Sequence, residues 1–113
     1  MRYRKAIRKV RLPVVSGDAV DLDEFPEEMW DTVVDINLRG SFVISKFVSG
    51  VMKKQRSGVI ILTASGAGVL GGSSSFAYGS SKGGVHGLAL VMEANLEIYG
   101  IRVNDVLPGA VAT

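Results

Sequence analysis

Tyr78 and Lys82 are the two residues whose types and spacing most directly suggest chemistry. They are four positions apart, so on a helix their side chains lie on one face, one turn apart. An ammonium near a phenol favours the ionised phenol and moves a pKa that is ordinarily about 10 towards the range useful for proton transfer. The same spacing also joins partly exposed aromatic rings to solvated lysines in many helices. The pair by itself therefore leaves an acid/base centre and a plain helix surface both open.

A Gly-x-Gly-x-x-Gly pattern at Gly66, Gly68 and Gly71 invites a different interpretation. In a dinucleotide-binding turn this pattern leads straight into a helix, and an acidic residue follows about 20 positions later. Here more glycine and serine follow, and the nearest later acid, Glu93, lies within a predicted helix. We interpret the segment as a loop that carries Ser65, and not as a pyrophosphate-binding turn.

The residue inventory excludes several other kinds of site. The sequence has no cysteine and one histidine, His86, so we predict no metal site. Gly79 stands where a Ser-x-x-Lys site with Lys82 needs a serine. His86 has no nucleophile at an evident spacing, and we assign it no role.

Helices and strands alternate in the predicted structure. Their ranges are residues 26–56, 59–62, 76–99 and 101–107, with Pro26 in the first turn and with Gly58 and Gly100 as the helix stops. The strand at 59–62 is an uninterrupted aliphatic run, which is typical of a parallel sheet buried on both faces. Helix, strand, helix, strand predicts an α/β fold with parallel strands joined by a right-handed crossover.

Apolar residues at helical spacing predict which helix faces are buried. They are Trp30, Val33, Val34, Leu38, Ile44, Phe47, Val48, Val51 and Met52 in the first helix, and Val85, Leu88, Ala89, Met92, Leu96 and Ile98 in the second. Asn37 and Gly40 interrupt the first stripe. Two helices from consecutive crossovers cover only one face of a sheet, so we expect further chain or a partner on the other face.

Basic residues are concentrated at the amino end, where residues 1–11 hold six of the thirteen. From residue 12 onward, seven basic residues accompany eleven acidic ones, a net charge of minus four. We predict a basic leader at residues 1–20, a domain at 21–113 and no nucleic-acid partner. No apolar run reaches the roughly 20 residues of a bilayer span, and no secretory signal follows the basic start. We predict no membrane insertion and a cytoplasmic location.

Residues 30–113 resemble the short-chain dehydrogenase/reductase family. The resemblance rests on Asn37 in the long helix, on Ser65 thirteen residues before the tyrosine, on the segment Tyr78-Gly-Ser-Ser-Lys82, and on a strand followed by Pro108-Gly109. These motifs stand in the family's order and at the family's spacing. The resemblance implies a partial Rossmann-like, doubly wound fold.

The resemblance also implies an activity, namely NAD(P)-dependent hydride transfer involving a ketone or secondary alcohol, as in a 3-oxoacyl reductase. Tyr78 would be the general acid/base, and Lys82 would lower the Tyr78 pKa and bind the nicotinamide ribose. Ser65 would hold the substrate oxygen, and Asn37 would bind a water that relays protons to Lys82. The nicotinamide carboxamide would meet Pro108, Gly109, Val111 and Thr113.

The family's Thr-Gly-x-x-x-Gly-x-Gly turn, which binds the cofactor pyrophosphate, does not occur in this sequence. We therefore expect the 113-residue chain to bind NAD or NADP weakly or not at all and to be inactive by itself. Two hypotheses remain. The chain is an oxidoreductase that is truncated or completed by another chain, or it is a non-catalytic remnant that forms homo-oligomers through its helices.

Overall fold

The computed structural model describes residues 21–65 and 75–107. In this part of the chain helical runs alternate with strands in the predicted order. The elements are a 3-10 turn (Leu22–Glu24), helix α1 (Glu27–Val34), a π-helical turn (Asp35–Arg39), helix α2 (Gly40–Gln55), strand β1 (Gly58–Thr63), helix α3 (Phe76–Leu96), a 3-10 turn (Glu97–Tyr99) and strand β2 (Ile101–Val106). The strands are parallel, and the predicted partial doubly wound α/β fold is confirmed.

Helix α1, the π turn and helix α2 follow one another without a break and form the first helical run. Pro26 precedes the run, and its carbonyl oxygen accepts the backbone N–H groups of Met29 and Trp30, both at 3.1 Å. In the π turn each N–H bonds five residues back instead of four, so the turn holds an extra residue and changes the phase of the side chains that follow. Asn37 lies in this turn. The apolar pattern of this segment does not predict the turn.

The two helix stops were predicted with unequal success. Gly100 is left-handed, with φ of 78°, so its role as a stop is confirmed. The prediction that Gly58 ends the first helix is wrong, because the helix ends at Gln55 and Arg56 takes the left-handed conformation with φ of 60°. Gly58 instead opens β1, where a Cβ would collide with the Met52 side chain. Close packing of helix and strand is the physical reason for that glycine.

One face of the two-stranded sheet is covered by α2 and α3. The strands pair from Gly58–Ile101 to Thr63–Val106. The core on this face consists of buried Ile60, Ala89, Ile101 and Val103, against which Val48, Met52, Leu62, Met92, Leu96 and Tyr99 pack. Burying these aliphatic groups is the main favourable contribution to the free energy of folding of this part.

The opposite face of the sheet is open in the described residues. Val59 and Ile61 alternate with the core residues of β1, and they are 52% and 61% exposed. The prediction that this strand is buried on both faces is therefore not met within residues 21–65 and 75–107. The expectation that two helices cover only one face agrees with the structure.

The predicted apolar stripes are wider than the contacts that the helices make. Five residues that were predicted to be buried are exposed, namely Trp30, Ile44, Phe47, Val51 and Ile98. In α2, Val48 and Met52 pack against the sheet core, and Ser45 is also buried. Periodicity alone could not tell the covered part of the stripe from its flank, because the sheet presents only one face to both helices.

A second cluster joins α1 to the start of α3. Val33 and Ala77 are buried there, and Tyr78 packs against them. The rings of Phe25 and Phe76 meet edge to face, with centroids 5.8 Å apart. These contacts hold the first turn of α3 against the first helical run, whose π turn carries Asn37.

Candidate active site

Tyr78 is held in the first turn of α3 by a helix cap. Ser75 precedes the helix, and its hydroxyl accepts the backbone N–H of Tyr78 at 3.0 Å. Lys82 follows one turn later, with its Nζ 5.9 Å from the centre of the Tyr78 ring. The prediction that the two side chains share one face of a helix is confirmed.

Lys82 reaches from α3 to the carboxyl end of β1. Its Nζ donates a hydrogen bond to the carbonyl oxygen of Thr63 at 3.1 Å. Burial lowers the pKa of the half-buried Lys82 ammonium below its usual range, because desolvation penalises the charged form. The hydrogen bond to Thr63, the last residue of β1, anchors the ammonium at the carboxyl end of the strand. Ligands bind at this end of the sheet in open α/β folds.

Ser65 lies at the same end of the sheet, two residues beyond the last residue of β1. Its neighbour Ala64 donates its backbone N–H to the carbonyl oxygen of Val106 at 2.9 Å, which ties this segment to β2. Ser65 itself is 8% exposed. The structure thus brings Ser65 and the Lys82 ammonium to one end of β1.

Asn37 is connected to the helix of Tyr78 and Lys82 through a residue that the sequence analysis missed. Its Nδ2 donates to the hydroxyl of Ser81 at 3.1 Å, and the Ser81 hydroxyl donates to the carbonyl oxygen of Tyr78 at 2.9 Å. Ser81 is fully buried. A serine directly before the lysine, on the helix face turned towards the first helix, was the available signal. Its partner 44 residues away was not readable from spacing.

A cleft of about 340 Å³ opens beside these residues. Its lining combines the polar residues Asn37, Ser41, Thr63 and Lys82 with the apolar residues Ile36, Ile44, Ile61 and Leu62. Mostly apolar walls with a few polar groups are typical of sites for small molecules, which range from roughly 300 to 1,000 Å³. The volume of the cleft falls at the lower end of that range, which is room for part of a small ligand, and half of its lining residues are polar.

Pro108, Gly109, Val111 and Thr113 lie outside the described residues, as do the basic leader and the glycine-rich segment after Ser65.

The residues that are described contain no group of three or more His, Cys, Asp or Glu side chains arranged for a metal ion. In the same part of the chain, no helix is long and apolar enough to cross a bilayer.

His86, which was assigned no role, connects α3 to β2. Its Nδ1 lies 2.6 Å from Oδ2 of Asp105. Both side chains are only partly exposed, and Asp105 lies near the carboxyl end of β2. The pair is a second polar contact, after Lys82 and Thr63, between the tyrosine–lysine helix and the sheet.

Comparison with known proteins matches this chain to one family along most of its length. The family model of short chain dehydrogenases matches residues 14–113. The 3-oxoacyl-(acyl-carrier-protein) reductase of Synechocystis sp. is 42% identical over 86 residues, which are 76% of this chain and 35% of the relative. The corresponding reductase of Thermotoga maritima is 37% identical over 99 residues, 88% of this chain and 40% of the relative. The chain thus spans well under half the length of these curated relatives.

Solved structures give the same result. An NAD+-bound xylitol dehydrogenase superposes with a TM-score of 0.75 at 40% identity, covering 78% of this chain and 34% of that one. A 3-oxoacyl-(acyl-carrier protein) reductase from Brucella melitensis with bound NAD has a TM-score of 0.78 at 33% identity, covering 83% and 36%. The division of the chain into a leader at residues 1–20 and a domain at 21–113 stays a prediction.

Proposed function

Because the chain belongs to the short-chain dehydrogenase/reductase family, we propose that it carries the proton-transfer part of an NAD(P)-dependent oxidoreductase. The reaction interconverts a small carbonyl compound and a secondary alcohol. The observation that supports this most is the linked set of contacts from Asn37 through Ser81 to the Tyr78 backbone, beside a Lys82 that is anchored on Thr63. A tyrosine and a lysine that share a helix surface by chance need none of these contacts.

Tyr78 exchanges a proton with the substrate oxygen in this proposal. The Lys82 ammonium stabilises the negative charge that remains on the phenol oxygen when the proton leaves. Lys82 uses one N–H on Thr63 and keeps its other donors, which suit the neighbouring hydroxyls of a ribose. Lys82 therefore fits the ribose of a nicotinamide nucleotide, and the proposal does not distinguish NAD from NADP. When bound, that cofactor supplies or accepts the hydride.

Ser65 and Asn37 have supporting roles in the proposal. The Ser65 hydroxyl donates to the substrate oxygen and stabilises its developing charge, and its position at the carboxyl end of β1 supports this. Asn37 binds a water that passes protons to Lys82, since both side chains line the same cleft. The contact with the nicotinamide carboxamide is assigned to Pro108, Gly109, Val111 and Thr113, as the family resemblance implies.

The substrate class that we propose is a 3-oxoacyl thioester or the corresponding 3-hydroxyacyl thioester. Two of the relatives are named as 3-oxoacyl-(acyl-carrier-protein) reductases, and a third, from mouse, as a (3R)-3-hydroxyacyl-CoA dehydrogenase at 38% identity over 105 residues. The weak cofactor binding expected of the isolated chain and its cytoplasmic location stay predictions.

A chimeric enzyme tests the proposal. Residues 30–113 replace the matching segment of the Thermotoga maritima reductase, and turnover is measured with an acetoacetyl thioester and, in separate assays, NADH and NADPH. We expect turnover in the chimera, and Tyr78→Phe should lower kcat at least about 100-fold because the proton donor is lost. Tyr99→Phe, which changes a tyrosine of the core side of the sheet, should keep turnover. A folded, cofactor-binding chimera without turnover, or one that tolerates Tyr78→Phe, contradicts the proposal.

A second candidate function is association with a second copy of the same chain. Ile44, Phe47 and Val51 are exposed at helical spacing on one flank of α2, with exposed fractions of 58%, 72% and 58%. A solvent-exposed apolar stripe of this kind frequently marks a protein–protein interface. This function needs no chemistry from Tyr78 and Lys82, so the two candidates are distinguishable.

A further inference from the structure

The Ser81 hydroxyl makes two hydrogen bonds in a fully buried position. It donates to the carbonyl oxygen of Tyr78, three residues earlier on the same helix, at 2.9 Å. It accepts Nδ2 of Asn37, from the π turn of the first helical run, at 3.1 Å. Ser81 is thus the point at which the tyrosine–lysine helix meets the amide of Asn37.

The chemistry of a hydroxyl gives this contact a direction. A serine hydroxyl has one proton to donate, and a carbonyl oxygen only accepts. Because the Ser81 proton goes to the Tyr78 carbonyl, Ser81 offers only lone pairs to Asn37. The asparagine must therefore present its NH₂ end. The reversed amide would either face the hydroxyl lone pairs or take the Ser81 proton away from the Tyr78 carbonyl, so one of the two hydrogen bonds would be lost, and buried acceptors without donors are costly.

We propose that Ser81 is a positioning residue that fixes the orientation of the Asn37 amide. With Nδ2 held by Ser81, Oδ1 is the end of the amide that accepts hydrogen bonds from water or ligand in the cleft that Asn37 lines. Ser41 holds the other part of the same residue, since its hydroxyl donates to the Asn37 backbone carbonyl at 2.8 Å. The catalytic consequence rests on the proposed function, whereas the orientation itself does not.

Nuclear magnetic resonance of the full 113-residue chain tests the orientation without any turnover. The sequence has three asparagines, and Asn95, which donates to the Val91 carbonyl at 2.8 Å, serves as an internal reference. In the unchanged chain we expect nuclear Overhauser contacts between the Asn37 amide protons and the Ser81 Hβ protons. Their absence in a folded chain overturns the proposal, whatever the variants do.

Ser81 variants provide the second part of the test. Ser81→Ala should make the Asn37 side-chain amide exchange with solvent roughly fivefold faster, the factor expected for one net hydrogen bond. Ser81→Thr, which restores the hydroxyl, should return the exchange towards its original rate. Ser49→Ala is the matched control, because Ser49 makes the same bond three residues back, to Lys46, at 3.1 Å.

The outcomes separate positioning from packing. Faster exchange at Asn37 alone, reversed by Ser81→Thr, supports the proposal. Unchanged Asn37 exchange in a folded Ser81→Ala chain overturns it, as does equal acceleration at Asn37 and Asn95. An inactive chimera combined with the expected exchange rates would count against the proposed function only.

Discussion

At the scale of single residues, Lys82 is the group whose environment differs most from that of an exposed lysine. It lies one turn from Tyr78, donates to the Thr63 carbonyl at 3.1 Å and is half-buried beside the cleft. Burial lowers the pKa of Lys82, because desolvation penalises the charged form. The ammonium is therefore partly desolvated, and it lies at the cleft where a substrate or a ribose could bind.

The lowered pKa of Lys82 predicts a specific pH dependence of stability. Between the lowered value and the ordinary value of 10.5, the unfolded chain binds the proton more tightly than the folded chain does. The free energy of unfolding therefore rises with pH across this window, and the contribution is lost as pH falls through the lowered pKa. Lys82→Met should remove this rise. Urea unfolding at several alkaline pH values measures it.

Exposed Lys46 supplies the control for that measurement. Lys46→Met removes one positive charge from the same chain without touching the cleft. The unchanged chain and Lys46→Met should show the same rise of stability with pH. If Lys46→Met flattens the curve as much as Lys82→Met does, the assignment to Lys82 is wrong.

At the scale of elements, close approach between backbone segments decides where helices and strands end. Gly100 links α3 to β2 in a left-handed conformation, and a Cβ there would meet the carbonyl oxygen of Arg56. The π turn likewise sets the position of Asn37 relative to Ser81. Glycines that look alike in sequence therefore differ in how much a substitution by alanine changes the free energy of unfolding.

Two glycine-to-alanine substitutions test this. Gly100→Ala should lower the free energy of unfolding by at least about 1 kcal/mol, because alanine disfavours positive φ and its Cβ meets backbone. Gly87→Ala, inside α3 with nothing within 4 Å of the added Cβ, should raise it by roughly 0.5–1 kcal/mol. Chemical denaturation measures both. Equal effects of the same sign would contradict the packing derived for Gly100.

At the scale of the whole molecule, the described part of the chain leaves two apolar surfaces open. One is the outer sheet face with Val59 and Ile61, and the other is the flank of α2 with Ile44, Phe47 and Val51. The chain matches only 35% and 40% of the length of two relatives, so a full-length member of the family contains more chain than this. The α2 flank is the surface that we assign to a second copy of the chain.

Phe47→Glu tests that assignment. Phe47 is 72% exposed at the centre of the α2 flank, so a charge there should disrupt self-association with little effect on the folded monomer. Light scattering after size-exclusion chromatography should show oligomers for the unchanged chain and a shift towards monomer for the variant. Phe42→Glu makes the same change on a different face of α2, where Phe42 is 50% exposed, and should keep the oligomer. A monomeric unchanged chain would rule the second candidate function out.

The sequence by itself determined the order of the elements, the parallel strands and the shared face of Tyr78 and Lys82. These features follow from local periodicity and from the four-residue spacing on a helix, which involve neighbours in the chain. The family motifs placed Asn37 and Ser65 among the candidates as well. The π turn, the exposed flank of α2 and the left-handed Arg56 at the end of the first helix did not follow from pattern.

Only the tertiary structure decided how the candidate site is held together. The Thr63 carbonyl that anchors Lys82 is 19 residues away in sequence, and Asn37 is 44 residues from Ser81. Such partners are chosen by how helices and sheet pack, because a hydrogen bond depends on distance and direction in space and not on separation along the chain. The role of Ser81 therefore follows only from the contact between the two helical runs. Through that contact Ser81 connects Asn37 to the helix of Tyr78 and Lys82.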